Sequence, residues 1–143
     1  FLKASGKDVG KSLVSETANS DDIKRILANP KLVLPIDSII KNKIILDHGP
    51  NTVALMAELA QKAKTILWNG PLGNYENGFT DATEGFARAV AASNAYSVVG
   101  GGDTVAAIEN LGLLPRFSFV STGGGAMLQF LATGTLPGID ALR

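Results

Sequence analysis

Two stretches of this sequence share one pattern, an apolar run followed by three glycines and then a helix-forming segment. Ser97-Val98-Val99-Gly100-Gly101-Gly102-Asp103-Thr104 is the first, and Phe119-Val120-Ser121-Thr122-Gly123-Gly124-Gly125-Ala126 the second. A helix N-terminus offers unpaired backbone N–H groups and a partial positive charge. Glycine removes the Cβ, so a phosphate oxygen can reach those amides. Two such turns at the carboxyl edge of a parallel sheet favour phosphate binding, because ligands of open α/β sheets sit at that edge. The alternative is that the glycines only make tight strand–helix turns. Asp103 either caps its helix or holds Mg2+ against bound phosphates. The Thr104 hydroxyl either meets a phosphate oxygen or caps locally.

Other residues extend or limit this chemistry. Trp68-Asn69-Gly70-Pro71-Leu72-Gly73 reads as a strand-end turn that brings Asn69 to the same edge. Glu76 either accepts hydrogen bonds from ribose hydroxyls or is a solvated loop acid. His48 stands beside Asp47, which invites acid–base chemistry; without a serine or cysteine partner it reads as structural or exposed. Gly6-Lys7-Asp8-Val9-Gly10-Lys11-Ser12 imitates a P-loop but fails on spacing, with three residues before the Gly-Lys-Ser where the motif has four. Lys11 is therefore read as a surface lysine. There is no cysteine, which excludes disulfides and thiolate chemistry. No zinc-ligand spacing and no serine-hydrolase elbow occurs.

The elements that must position these residues follow from hydrophobic periodicity. Helices are expected over 21–29, 51–63, 80–93, 103–110 and 125–131, and strands over 31–36, 44–46, 65–68, 96–99 and 117–120. Pro30 closes the first helix, and Pro50 with Asn51 opens the second. Short alternating strands and helices imply an α/β fold, a parallel sheet flanked by helices on both faces in a Rossmann-like three-layer arrangement. The 143 residues suffice for one domain, 45% of them are hydrophobic and 18% charged, and the formal net charge is +0. That balance gives no field for nucleic acid or anionic lipid, so neither nucleic acid nor membrane is an expected partner. Any phosphate site must come from local geometry. The 16 glycines exceed an average share of about 7%.

Taken in order, Leu46-Asp47-His48-Gly49-Pro50, Trp68-Asn69-Gly70-Pro71, Gly100-Gly101-Gly102-Asp103-Thr104, Ser121-Thr122-Gly123-Gly124-Gly125-Ala126 and Thr135-Leu136-Pro137-Gly138 carry a family resemblance. Phe1-Leu2-Lys3 and Val33-Leu34-Pro35-Ile36-Asp37 add to it. The series resembles the carboxy-terminal, nucleotide-binding half of phosphoglycerate kinases along the whole chain. The resemblance implies that residues 1–143 are a partial nucleotide-binding domain of a two-domain glycolytic kinase, incomplete at its amino-terminal side. The amino-terminal phosphoglycerate-binding domain is then absent, and the fragment alone inactive.

The implied reaction moves a phosphoryl group between 1,3-bisphosphoglycerate and ADP, giving 3-phosphoglycerate and ATP, with Mg2+ accompanying the nucleotide. Lys3 would contact the transferred phosphate, and Gly123, Gly124 and Gly125 would offer it amides. Asn69 would line the nucleotide site and Glu76 bind ribose. Gly101, Gly102 and Thr104 would hold nucleotide phosphates, and Asp103 the metal. Ile45 stands where some members have glycine and would touch the nucleotide through its backbone. Asn74-Tyr75-Glu76-Asn77-Gly78 departs from the usual Val-Phe-Glu. The parent would be a cytoplasmic monomer taking phosphoglycerate through the other domain. Two other readings compete with this one: a non-catalytic nucleotide-binding α/β module, and a structural α/β domain whose glycines only turn the chain.

Overall fold

A computed structural model describes residues 1–14 and 20–142. Helix α1, Ser20–Leu27, opens with Asp21 and Asp22 and closes with Lys24 and Arg25, the charge order that suits a helix dipole. It is followed by an irregular segment where a strand over 31–36 was expected. Pro35 has no N–H to give to a ladder. The amides of Ile36 and Asp37 both donate to the Thr52 hydroxyl, at 3.0 and 3.1 Å, instead of to a neighbouring strand.

The strand of this region lies later, at β1, Ser38–Lys41, which pairs antiparallel with β2, Ile44–His48. Asn42 and Lys43 link them with φ of 54° and 65°. Two consecutive left-handed residues match the right-handed twist of a hairpin. The hairpin is a separate two-stranded sheet. Residues 44–46, expected to be extended, lie within β2.

Helix α2, Pro50–Lys62, begins with proline at its first position, where the missing N–H costs nothing. Its N-terminus is capped from outside the helix by Asp37. That carboxylate accepts from the amides of Asn51 (2.9 Å) and Thr52 (2.7 Å) and from the Thr52 hydroxyl (2.6 Å). Partial desolvation raises the Asp37 pKa, but the hydrogen bonds from Thr52 and Asn51 outweigh it and hold the carboxyl below its ordinary value.

The remaining chain alternates β3, Thr65–Asn69; α3, Asp81–Ala91; β4, Tyr96–Gly100; α4, Gly102–Asn110; β5, Phe119–Ser121; α5, Gly124–Thr133; and α6, Pro137–Asp140. Strands β3, β4 and β5 form a parallel sheet in that order, flanked by helices. Beyond the β4–β5 ladder, Ser97 and Ser118 exchange hydrogen bonds from each amide to the other's hydroxyl, at 3.1 and 3.2 Å. This is where the strand expected over 117–120 loses its regular pairing.

Strand alternation sorts the sheet residues. Ile66, Trp68 and Val99 face a core completed by Ala60 from α2, Phe86, Ala87 and Val90 from α3, and Ile108 from α4. The rings of Trp68 and Phe86 meet edge to face, with centroids 5.0 Å apart and planes at 72°. Truncating a buried aromatic of this kind costs about 3–5 kcal/mol. On the opposite face Leu67 and Phe119 flank Val98 in register, and both are about half exposed.

The buried carboxylate of Asp47 organises the α3 end. It accepts from the Ala82 amide at 3.1 Å, in the first turn of α3, and from the His48 amide at 2.8 Å. Among the described residues no buried side-chain polar atom lacks a partner, as expected of a settled interior.

Candidate nucleotide-phosphate site at the sheet edge

Register decides what meets at the carboxyl edge. Asn69, Gly100 and Ser121 lie side by side across β3, β4 and β5. Each begins a turn, so the three turns leave the sheet together. Gly70, with φ of 97°, reverses the first turn. The Trp68 indole N–H fixes it by donating to the Gly70 carbonyl at 2.8 Å. Gly101, with φ of 94°, turns β4 into α4, and Gly123 turns β5 into α5. Neither helix has a side-chain cap at its N-cap residue. Both therefore aim early backbone N–H groups, with their partial positive charge, at one edge.

Two side chains tie these turns together. The Gly70 amide donates to the Thr104 hydroxyl oxygen at 2.9 Å, and the Asn69 side-chain amide donates to the Gly124 carbonyl at 3.3 Å. Thr104 is fully buried, at 0% exposure. Asn69 is half-buried.

The triplets divide by what a methyl group would meet. At Gly124 a Cβ would lie 2.6 Å from both Cα and N of Gly101, and at Gly101 it would lie 2.6 Å from Oδ1 of Asn69. At Gly100 it would collide with the Met127 side chain. Gly101 and Gly124 are required by the packing of the turns on one another, whereas at Gly100 the obstacle is the end of a flexible side chain that can move aside. Gly102 and Gly125 are different: nothing lies within 4 Å of the Cβ position, and both are exposed. A Cβ at Gly123 would make only an ordinary contact, 3.7 Å from Ala126. The open positions are those at which a ligand oxygen can approach the backbone.

Asp103 is exposed, in the first turn of α4, one position inside a helix whose N-cap is Gly101. Its carboxylate is thus not the residue that caps the helix. Glu76 sits exposed in a single 3-10 turn, Tyr75–Asn77, and the preceding Asn74 amide holds that turn to β2 through the Leu46 carbonyl at 2.8 Å. Ile45 is half-buried, and its amide donates to the Ser12 hydroxyl at 2.9 Å. Ile45 and Lys3 share an open, largely apolar groove of about 470 Å³ with Phe1, Val14, Leu34 and Pro35.

The structure thus brings Asn69, Gly101, Thr104 and Gly124 into direct contact, with Gly102, Asp103, Gly123 and Gly125 around them. It groups Lys3 with Ile45 in the groove; among the described residues no hydrogen bond joins Lys3 to either glycine turn. His48 has no acid–base partner in Asp47, whose oxygens are taken by backbone amides. Sequence reasoning missed the roles of Trp68 and Asp47. The Asp47 contact spans 35 residues, and no local pattern announces it.

Residues 1–134 match the family model described as phosphoglycerate kinase. The chain belongs to the phosphoglycerate kinase family. It is 42% identical over 169 residues to the phosphoglycerate kinase of Koribacter versatilis, covering 99% of this chain and 42% of that protein. The phosphoglycerate kinase of Rubrobacter xylanophilus is 43% identical over 164 residues, with coverage of 99% and 42%. Among solved structures, Coxiella burnetii phosphoglycerate kinase superposes with a TM-score of 0.82 at 42% identity, covering 99% of this chain and 43% of that one. Pyrococcus horikoshii phosphoglycerate kinase gives 0.62 at 41% identity over 68% of this chain and 24% of that one. The chain spans about two-fifths of the length of the curated relatives it matches. Among the described residues no helix is long and apolar enough to cross a membrane.

Proposed function

We propose that the chain forms the nucleotide side of a kinase site and, as part of a longer protein, takes part in phosphoryl transfer from 1,3-bisphosphoglycerate to ADP. In that reaction the bond between the acyl oxygen and phosphorus breaks. A terminal oxygen of ADP forms the new bond, and 3-phosphoglycerate leaves as a carboxylate. The observation that carries the reading is the meeting of two uncapped helix N-termini at one sheet edge, with open space at Gly102 and Gly125.

Phosphoryl transfer requires positioning and charge stabilisation more than a covalent side chain. The amides at Gly101 and Gly102 receive nucleotide phosphates, and those at Gly123 to Gly125 face the transferred group. Asp103 suits a metal that takes one carboxylate and fills its other positions with phosphate oxygens and water, which is the habit of Mg2+. Its carboxylate is exposed and free of a capping role, and no cluster of three candidate ligands occurs among the described residues. When bound, Mg2+ would neutralise charge on the phosphates. Glu76 accepts from the ribose hydroxyls, the Ile45 groove receives apolar parts of the nucleotide, and Lys3 adds a positive charge to the transferred group.

The phosphoglycerate side is supplied by the rest of a longer, cytoplasmic, monomeric enzyme, and this chain alone does not turn over. Calorimetry with MgADP tests the binding half of the proposal, with saturable heat below millimolar nucleotide expected. Absence of heat from a folded chain would leave only the turn-forming role of the glycines. ATP formation by the chain extended to the length of its relatives tests the transfer half.

A further inference from the structure

We infer that Thr104 and Asn69 are positioning residues that set the spacing of the two helix N-termini. The inference rests on the nucleotide reading above for its consequence, but its geometry stands without it. Thr104 is buried, with 0% exposure. Its hydroxyl oxygen accepts from the Gly70 amide at 2.9 Å. Gly70 is in turn held by the Trp68 indole through its carbonyl. Trp68 is 5% exposed and packed on Phe86, so the first turn is anchored in the core.

From this anchored turn two struts run outward. One goes from Gly70 to Thr104, in the first turn of α4, and the other from Asn69 to the Gly124 carbonyl, in the first turn of α5. Between them Gly101 and Gly124 touch backbone to backbone, a contact without slack for a methyl group. The two sets of N–H groups are therefore fixed relative to each other by three contacts, two of which start from Asn69-Gly70. A site made of amides gains from such rigidity, because donors already in place need not reorganise when charge arrives.

Thr104→Val keeps the volume and removes the acceptor, leaving the Gly70 N–H unpaired. In the nucleotide-free chain, amide exchange should quicken at Gly70 and also at Gly102 and Gly125, which the substitution does not touch. MgADP affinity should fall about tenfold, the ratio that corresponds to one lost buried hydrogen bond. Thr104→Ser, which keeps the hydroxyl, should restore both. Ser97→Ala is the matched control: it removes a hydroxyl acceptor at the opposite end of β4, where Ser118 donates to it. It should leave exchange at Gly102 and Gly125 unchanged.

Wild-type binding together with unchanged affinity or unchanged exchange in Thr104→Val would overturn the inference. Faster exchange at Gly102 and Gly125 in a chain that binds no nucleotide would uphold the struts and defeat the nucleotide reading alone. If Thr104→Val fails to fold, Asn69→Leu removes the other strut, and the same two amides decide the question.

Discussion

Alanine at Gly124 and alanine at Gly102 should have opposite effects on stability, although both are the middle or end of a Gly-Gly-Gly run. At Gly124 the new Cβ would sit 2.6 Å from Cα and N of Gly101. Those are backbone atoms and cannot rotate away, so the two turns must separate. Overpacking of this kind costs about 1–3 kcal/mol. At Gly101 the cost has two sources, the 2.6 Å contact with Asn69 Oδ1 and a φ of 94° that an L side chain rarely adopts. Backbone strain alone adds about 1–3 kcal/mol there.

Gly102 is the first residue of α4, has open space at its Cβ position and has no left-handed φ. Alanine there should be neutral or stabilise by about 0.4–1 kcal/mol through the unfolded chain. The same methyl group stands where a phosphate would approach the amides, so nucleotide affinity should fall while stability does not. Thermal unfolding followed by circular dichroism, with calorimetric titration of each variant, reads both quantities. One kcal/mol corresponds to about 2–4 °C in a chain near this size. A Gly124→Ala protein as stable as wild type, or a Gly102→Ala protein destabilised by several degrees, would refute the division of the triplets.

Three further expectations follow from single residues. Asp103→Asn should weaken nucleotide binding severalfold in the presence of Mg2+ and little in its absence; equal loss in both conditions would remove Asp103 from the metal. The Asp37 carboxyl is held below its ordinary value, so the native state binds fewer protons there than the unfolded chain. Its contribution is present at neutral pH and is lost as pH falls through the folded-state pKa, below 3.8. Asp37→Asn should flatten the stability–pH curve in that range, as melting temperatures across acidic buffers would show. Lys43→Gly, which relieves a φ of 65° in the β1–β2 turn, should raise stability by about 1 kcal/mol, measured by denaturant unfolding.

Local pattern accounted for the elements with strong periodicity or strong punctuation. Helices α2 and α3 were legible because Met56 and Ala60, or Phe86 and Val90, recur at helical spacing. Strands β3 and β4 were legible because each runs into glycine. The strand expected over 31–36 failed for a reason outside its own residues: the Thr52 hydroxyl takes the amides of Ile36 and Asp37. The hairpin was hidden in Ile39-Ile40-Lys41-Asn42-Lys43-Ile44-Ile45, whose turn depends on two left-handed residues of which neither is glycine.

At the site, the glycine triplets were visible as a pattern, but not the division of labour within them. That division depends on contacts between turns, such as Gly124 on Gly101, separated by more than one element. Thr104 is the clearest case. Its position after Gly-Gly-Gly-Asp offered its hydroxyl to a phosphate or to a local cap, and gave no sign that its oxygen accepts from Gly70, 34 residues earlier.

The most direct test of the account is a nitrogen–proton NMR titration of this chain with MgADP. The account predicts saturable shifts centred on the amides of Gly101 to Thr104 and Gly123 to Ala126. Little change is expected at Ser97 or Ser118, at the other end of the sheet. A folded spectrum in which those glycine-turn amides stay still at millimolar MgADP would contradict it.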